Sequence, residues 1–288
     1  MQLAFSTNAY TRFTLAEALR GIRAAGFGAV EILADTPHAY PDGLTMDQML
    51  SIREQLSALG LAVSNINANC TFGYWRHAPP EAFFEPSLIS PNPAHRADRH
   101  RLICRTIDFA KVIGAENISI TSGRCLGEMS PSRAKRQMAE SLMPILDYAE
   151  AAGVNVGIEC EPGLFIEYAA ELRDLIDQLQ SARLGANLDI GHSYVLGEDV
   201  PTVLQILQGR IWNLHVEDLP GRKHYHMIPG RGDFDWMMLA NALRQTGYNR
   251  AVTVELYTQA HDPGTAAVES FAFLSEWMKN FPAVGGSR

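Results

Sequence analysis

This chain has no excess of basic residues, no paired cysteines, no long apolar run and no glycine-rich phosphate fingerprint. Lysine and arginine number 24 against 32 aspartates and glutamates, a formal charge of −8. A protein that grips a nucleic acid backbone carries a basic surface, so this balance argues against a nucleic acid partner. The four cysteines, Cys70, Cys104, Cys125 and Cys160, are widely spaced and form no Cys-x-x-Cys pair. That excludes a disulfide framework and a zinc knuckle, and it points to reduced thiols and a cytoplasmic location. No apolar run approaches the roughly 18 residues that span a bilayer, so no membrane partner is expected. Met1-Gln2-Leu3-Ala4-Phe5 enters a strand pattern directly, and no signal peptide is visible. The segment after that strand, Ser6-Thr7-Asn8-Ala9-Tyr10, lacks the glycines of a dinucleotide-binding turn.

What is present is a regular alternation. The patterning predicts strands at Leu3–Asn8, Ala29–Ala34, Ala62–Ala68, Asn117–Thr121, Val154–Glu159, Leu184–Asp189, Ile211–Glu217 and Ala251–Tyr257. Between and after them it predicts helices at Thr14–Ala25, Met46–Leu59, Arg96–Ile113, Arg133–Ala152, Tyr168–Leu179, Val200–Leu207, Asp235–Thr246 and Ala266–Asn280. Gly60, Gly114, Gly153 and Gly247 stand where helices stop. Strands separated by crossover helices run parallel, and an eight-fold set favours an α/β fold of the closed (β/α)8 barrel type. With no linker or low-complexity tract, residues 1–288 read as one domain.

Two connections are longer than packing requires, from Asn69 to about His95 and from Asp218 to Gly232. Each follows a strand and belongs to the C-terminal face, where barrel enzymes place their sites. The first carries Phe72, Tyr74, Trp75, Phe83 and Phe84 among the prolines Pro79, Pro80, Pro86, Pro91 and Pro93. These suit a lid or pocket wall, with Trp75 the candidate for touching substrate. Arg231-Gly232-Asp233 reads as part of the turn before the seventh helix, with Asp233 available to cap it.

The last four strands end alike: Val156-Gly157-Ile158-Glu159, Asn187-Leu188-Asp189, Trp212-Asn213-Leu214-His215 and Val252-Thr253-Val254-Glu255. Alternate side chains of a strand face opposite ways. Val156, Ile158, Leu188, Trp212, Leu214, Val216, Val252 and Val254 therefore share one face, and Glu159, Asp189, His215 and Glu255 share the other. Polar layers do occur inside barrels, and for any single residue that reading would suffice. Three carboxylates meeting at one mouth would repel one another without a cation. The set predicts one divalent metal ion, and oxygen and nitrogen donors without thiolate suit Mn, Mg, Co or Zn, with Mn or Mg favoured. Near the same mouth lie Glu161, Glu217, His192, Arg222, Lys223, His224 and His226, with Glu31 inward on the second strand. Glu161, His192, His226, Arg222 and Glu31 are the candidates for holding substrate.

Gly153-Val154-Asn155-Val156-Gly157-Ile158-Glu159, Leu188-Asp189-Ile190-Gly191-His192, Leu214-His215-Val216-Glu217-Asp218 and Pro229-Gly230-Arg231-Gly232-Asp233-Phe234-Asp235-Trp236 resemble the xylose isomerase-like TIM-barrel family. So does Gly26-Phe27-Gly28-Ala29-Val30-Glu31-Ile32. The resemblance implies a TIM barrel in which Glu159, Asp189, His215 and Glu255 match the metal ligands of the ketose 3-epimerase branch. His192 then matches a substrate-contacting position and His226 a histidine before the glycine-rich turn, while Arg222 falls one residue from a substrate-binding arginine. The family's trinuclear zinc endonucleases carry further histidines where this chain has Asn67 and Thr121, and His224 stands in place of their aspartate. DNA repair of the endonuclease IV kind is therefore not expected.

The implied activity is a metal-dependent isomerase or epimerase working on a small sugar, ketose or polyol. Proton abstraction beside a carbonyl, with charge stabilised as an enediolate, would use Glu159 and Glu255 as acid and base. An inosose-type dehydratase on the same site, or a barrel that binds a metabolite without turnover, stays open. Only Arg124, Arg222, Lys223 and Arg231 could meet a phosphate, so the substrate reads as unphosphorylated. Association into a homo-oligomer is left open.

Overall fold

The computed structural model describes residues 1–75, 77–78, 84–127, 129–279 and 281. Pro79, Pro80 and Phe83 of the aromatic connection, and Asn280 at the end of the last predicted helix, lie outside the described residues.

Eight parallel strands close into a barrel in sequence order. They are β1 (Gln2–Ser6), β2 (Ala29–Leu33), β3 (Ala62–Asn67), β4 (Asn117–Thr121), β5 (Asn155–Glu159), β6 (Leu184–Asp189), β7 (Ile211–Val216) and β8 (Ala251–Val254). Each predicted strand and helix is present, and the differences lie at the ends and in short unpredicted helices such as Thr71–Tyr74 and Ile190–Val195. β1 stops at Ser6 because the chain turns at once into a 3-10 helix, Thr7–Tyr10, capped by the Ser6 hydroxyl. β8 stops at Val254, which leaves Glu255 one residue past the strand.

The helices Pro93–Ile113 and Pro131–Ala152 begin earlier than their apolar periodicity predicts. Asn92 and Ser130 cap them, and a proline follows each cap, where its missing N–H costs nothing. Asp235, not Asp233, caps the helix Trp236–Thr246 by accepting from the Met238 N–H at 2.9 Å. Asp233 instead accepts from the Gly221 N–H within the preceding connection.

The outward strand faces and the inner helix faces make one apolar shell. Val156, Ile158, Leu188, Leu214, Val216, Val252 and Val254 are all buried in it. No helix among the described residues is long and apolar enough to cross a membrane. All four cysteines are free.

The barrel lumen is polar. Asn213 donates to Asn187 Oδ1 at 2.8 Å, Thr253 donates to Asn213 Oδ1 at 2.7 Å, and Asn65 donates to Glu31 Oε2 at 2.7 Å. A fully buried polar layer of this kind is tolerable because its members bond to one another, with only Glu31 Oε1 and Asn65 Oδ1 left without a partner among the atoms of these residues. It forms the floor under the strand ends.

Two aspartates fix the long connections above that floor. Asp35 accepts from the N–H groups of Phe72 and Gly73 at 2.8 and 2.6 Å, which ties down the short helix Thr71–Tyr74. Asp218 accepts from Gly230 N, Phe234 N and Trp236 Nε1 at 2.7, 3.1 and 3.1 Å. Its backbone also pairs with Met227. The segment carrying His224 and His226 is thereby held over the barrel mouth.

Candidate active site and metal centre

Strand parity delivers Glu159 from β5, Asp189 from β6 and His215 from β7 to the C-terminal mouth, with Glu255 just beyond β8. Each offers a ligand atom, and the four atoms lie within 4.8 Å of one another. All four residues are buried.

His215 is the centre of the group. Its Nδ1 lies 3.2 Å from Glu159 Oε1 and 3.3 Å from Glu255 Oε2. Its Nε2 lies 2.7 Å from Glu31 Oε2. Glu31 therefore sits beneath the cluster, on the far side of the imidazole from the mouth. A carboxylate behind a ligating histidine fixes the ring and makes it a stronger donor. Glu31→Gln should weaken divalent-metal affinity by about 10- to 100-fold. Competition with a chelator checks this, and an unchanged affinity would remove Glu31 from the centre.

Asp189 is oriented by the chain that follows it. It caps the short helix Ile190–Val195, and its Oδ1 accepts from Gly191 N and His192 N at 2.7 and 3.2 Å. The Glu217 carboxyl, kept protonated by burial, donates to Asp189 as well. A buried carboxylate aimed into a cluster of donors, with another acid for a neighbour, is the fit expected of a metal ligand. Asn8, in the turn after β1, donates to Glu255 Oε1 at 2.7 Å. That contact fixes the Glu255 carboxylate from the other side of the closed barrel.

The electrostatics of the cluster suit a cation. Burial pushes the Glu159 carboxyl up to about 7, with the nearby Glu255 and Asp189 charges adding to the rise against the pull of His215. Burial and the Glu159 charge push Glu161 up to about 9. Burial disfavours a charged His215, yet the carboxylates of Glu31 and Glu255 outweigh it and hold the imidazole well above its usual range. A charged His215 between Glu159 and Glu255 offsets their mutual repulsion.

Above the cluster opens a cavity of about 460 Å³. Glu159, Glu161, His192, His226 and Glu255 line it, as do Asn8, Asp35, Asn67 and His224. Leu33, Phe72, Phe84 and Tyr257 form an apolar part of the wall. Both long connections thus contribute to this wall. His192 Nε2 lies 3.4 Å from Glu161 Oε2.

Trp75 and Arg222 are placed elsewhere. The Trp75 indole donates to the Glu85 carbonyl at 2.9 Å and stacks edge-on with Tyr74 and His95. Arg222 lies over the Tyr194 ring, 5.6 Å from its centroid. Asn8, Asp35 and Tyr257 were not read from the sequence. An asparagine in a turn carries no periodicity, and its partner Glu255 is distant in the chain.

The barrel fold is shared with solved structures. It superposes on a D-tagatose 3-epimerase-like protein with a TM-score of 0.80 at 19% identity, covering 97% of both chains. It superposes equally on the IOLI protein with a bound zinc atom, with a TM-score of 0.80 at 17% identity, covering 98% of this chain and 100% of that one. Residues 19–277 match the family model of the xylose isomerase-like TIM barrel, and the chain belongs to that family. Its named relatives are sugar isomerases and epimerases. Fructoselysine 3-epimerase of Shigella flexneri is 25% identical over 262 residues, 90% of this chain and 91% of that protein. The 2-oxo-tetronate isomerase of Cupriavidus necator is 24% identical over 263 residues, 90% and 92% of the two chains.

Proposed function

We propose that the protein is a divalent-metal-dependent isomerase or epimerase of a small, unphosphorylated ketose or polyol. One observation carries the reading. Two buried carboxylates, Glu159 at the end of β5 and Glu255 just past β8, reach the same histidine nitrogen on the floor of an open cavity. A cation held by Glu159, Asp189, His215 and Glu255 would supply polarisation of neighbouring substrate oxygens, with Mn or Mg favoured by the oxygen-rich set.

The chain's own groups do the rest. Glu159 and Glu255 stand on either side of the space a sugar carbon would occupy. One takes the proton beside the carbonyl and the other returns it. Asn8 holds Glu255 at the angle this needs. His192 and His226, both in the cavity wall, present ring nitrogens to substrate hydroxyls. The apolar wall of Leu33, Phe72, Phe84 and Tyr257 covers the carbon face and reduces access of water.

The charge of the wall supports an uncharged substrate. No lysine or arginine lines the cavity among the described residues. Arg231 is engaged with Glu269, and Lys223 lies against Tyr225. A phosphate would find no charged fork there.

Solvent exchange tests the proposal. In D₂O with Mn²⁺, ketoses and hydroxypyruvate offered to the protein should include one that gains deuterium at the carbon beside its carbonyl, read by NMR. Loss of water from an inosose in place of exchange would make the protein a dehydratase. Tight binding of these compounds with neither exchange nor loss of water would overturn the enzyme reading.

A further inference from the structure

The turns after β1 and β2 are joined by side chains on the wall of the cavity opposite the strand ends of β5 to β7. The β1–β2 ladder runs out at Ser6, paired with Glu31. The next residue, Thr7, continues it with its side chain: its Oγ1 accepts from the Leu33 N–H at 2.9 Å. Thr7 is fully buried. The same hydroxyl lies 3.1 Å from His38 Nδ1, on the turn after β2. His38 Nε2 lies 3.2 Å from the Tyr10 carbonyl and 3.2 Å from the Phe13 carbonyl. One imidazole thus grips both ends of the turn that follows β1.

The hydrogens in this clamp run one way. The Leu33 N–H can only donate, so the Thr7 hydroxyl passes its own hydrogen to His38 Nδ1. The Tyr10 and Phe13 carbonyls can only accept, so Nε2 carries the ring hydrogen. Burial pushes the His38 pKa down, which favours this neutral ring. His38 does not itself line the cavity, whereas Asn8, between its two anchor points Thr7 and Tyr10, does. Asn8 Nδ2 donates to Glu255 Oε1 at 2.7 Å. A carboxylate only accepts, so the amide cannot be turned over without losing that bond. Asn8 Oδ1 is left buried and unpartnered. A buried amide oxygen is costly in that state, and a sugar hydroxyl entering the cavity would supply its donor.

From this geometry we propose that His38 is a positioning residue for proton transfer: through Thr7 it sets the turn after β1, so that Asn8 holds Glu255 with its amide hydrogen and offers its oxygen to a substrate hydroxyl. The proposal rests on the acid–base reading of Glu255. It gives a part in the reaction to a histidine outside the cavity wall. It also gives Asn8 two roles, one toward Glu255 and one toward substrate.

The first test is independent of turnover. In protein labelled with [¹⁵N]histidine, two-bond ¹H–¹⁵N spectra should show His38 as a neutral ring with its hydrogen on Nε2, assigned by the signal that His38→Gln removes. A hydrogen on Nδ1 would overturn the clamp. The second test uses Mn²⁺-saturated protein and deuterium exchange from D₂O into D-fructose, D-tagatose and hydroxypyruvate. His38→Gln and Thr7→Val should each lower kcat by about 10-fold, with KM changed less than about 3-fold and Mn²⁺ content unchanged. Thr7→Ser keeps the hydroxyl and should retain most of the activity, which carries the test if His38→Gln folds poorly. In an Asn8→Ala background the His38 and Thr7 substitutions should each cost less than about twofold more, because the residue they act through is gone. Losses that add in full to that of Asn8→Ala, or a raised KM at unchanged kcat, would overturn the positioning role. A wild type that binds Mn²⁺ and exchanges with none of the three compounds would overturn the reading of Glu255 on which the proposal rests, while the tautomer still reports on the clamp.

Discussion

Glu159→Gln and Glu255→Gln should each lower kcat by about 10³-fold, in the range that a positioned acid or base contributes. Both residues also belong to the ligand cluster, so the loss has to be separated from loss of metal. Each variant is therefore assayed with Mn²⁺ raised to saturation. A glutamine keeps a carbonyl oxygen to coordinate with and loses the ability to exchange a proton. The expected result is a kcat that stays low when metal occupancy is restored, with KM changed far less. The two variants should not behave identically. Asn8 donates to Glu255, whereas nothing equivalent from β1 reaches Glu159. Asn8→Ala should therefore reproduce part of the Glu255→Gln loss and leave metal content unchanged. Either glutamine variant that recovers most of the wild-type kcat on adding Mn²⁺ is a ligand only, and the paired acid and base would have to be sought elsewhere in the cavity.

The gathering of Glu159, Asp189, His215 and Glu255 was legible in the sequence because strand parity is a local property. Once β5, β6, β7 and β8 are placed, Glu159, Asp189 and His215 must face the lumen. Glu255 keeps the same parity although the strand has ended before it. Parity also put Glu31 inside. It could not give depth, which is why Glu31 read as a candidate for the mouth and lies under His215 instead. Residues on the two long connections were less legible. Asp218 and Asp35 fix those segments through hydrogen bonds to backbone groups distant in the chain. The resulting turns bring His224 and His226 over the centre and set Trp75 and Arg222 against Glu85 and Tyr194. Glu217 had the right parity but no sign of what it would meet. It meets His224 of the seventh connection at 3.1 Å and the Asp189 carboxyl, partners through space that the strand pattern does not reveal.

Removing the metal should cost activity entirely and stability in a pH-dependent way. A ligand present at 1,000 times its Kd stabilises the folded state by about 4 kcal/mol, which for a chain of this size is a rise in Tm of roughly 10 °C. Chelation should reverse that rise, and Asp189→Ala should abolish most of it. The sign of the pH dependence follows from the groups that the cation would neutralise. Glu159 is raised to about 7 and Glu161 to about 9, chiefly by burial. A carboxyl whose folded pKa lies above its unfolded value binds more protons when folded, so the metal-free protein loses stability as pH rises through that interval. His215 acts in the same direction. Its folded pKa is raised, so its contribution is complete below its unfolded value and is lost as pH climbs through the folded one. Glu255 and Asp189 are shifted down, because the surrounding histidines outweigh the cost of burial, and their contributions are lost only in acid. A bound cation replaces the protons that the first group holds. The difference in Tm between metal-loaded and chelated protein should therefore widen from about pH 4.5 to about pH 9, the span between the unfolded glutamate values and the raised ones. Differential scanning fluorimetry across that range reads it directly. A gap that is absent, or that narrows as pH rises, would mean that the buried carboxylates are held by protons and by one another, with no metal in the barrel mouth.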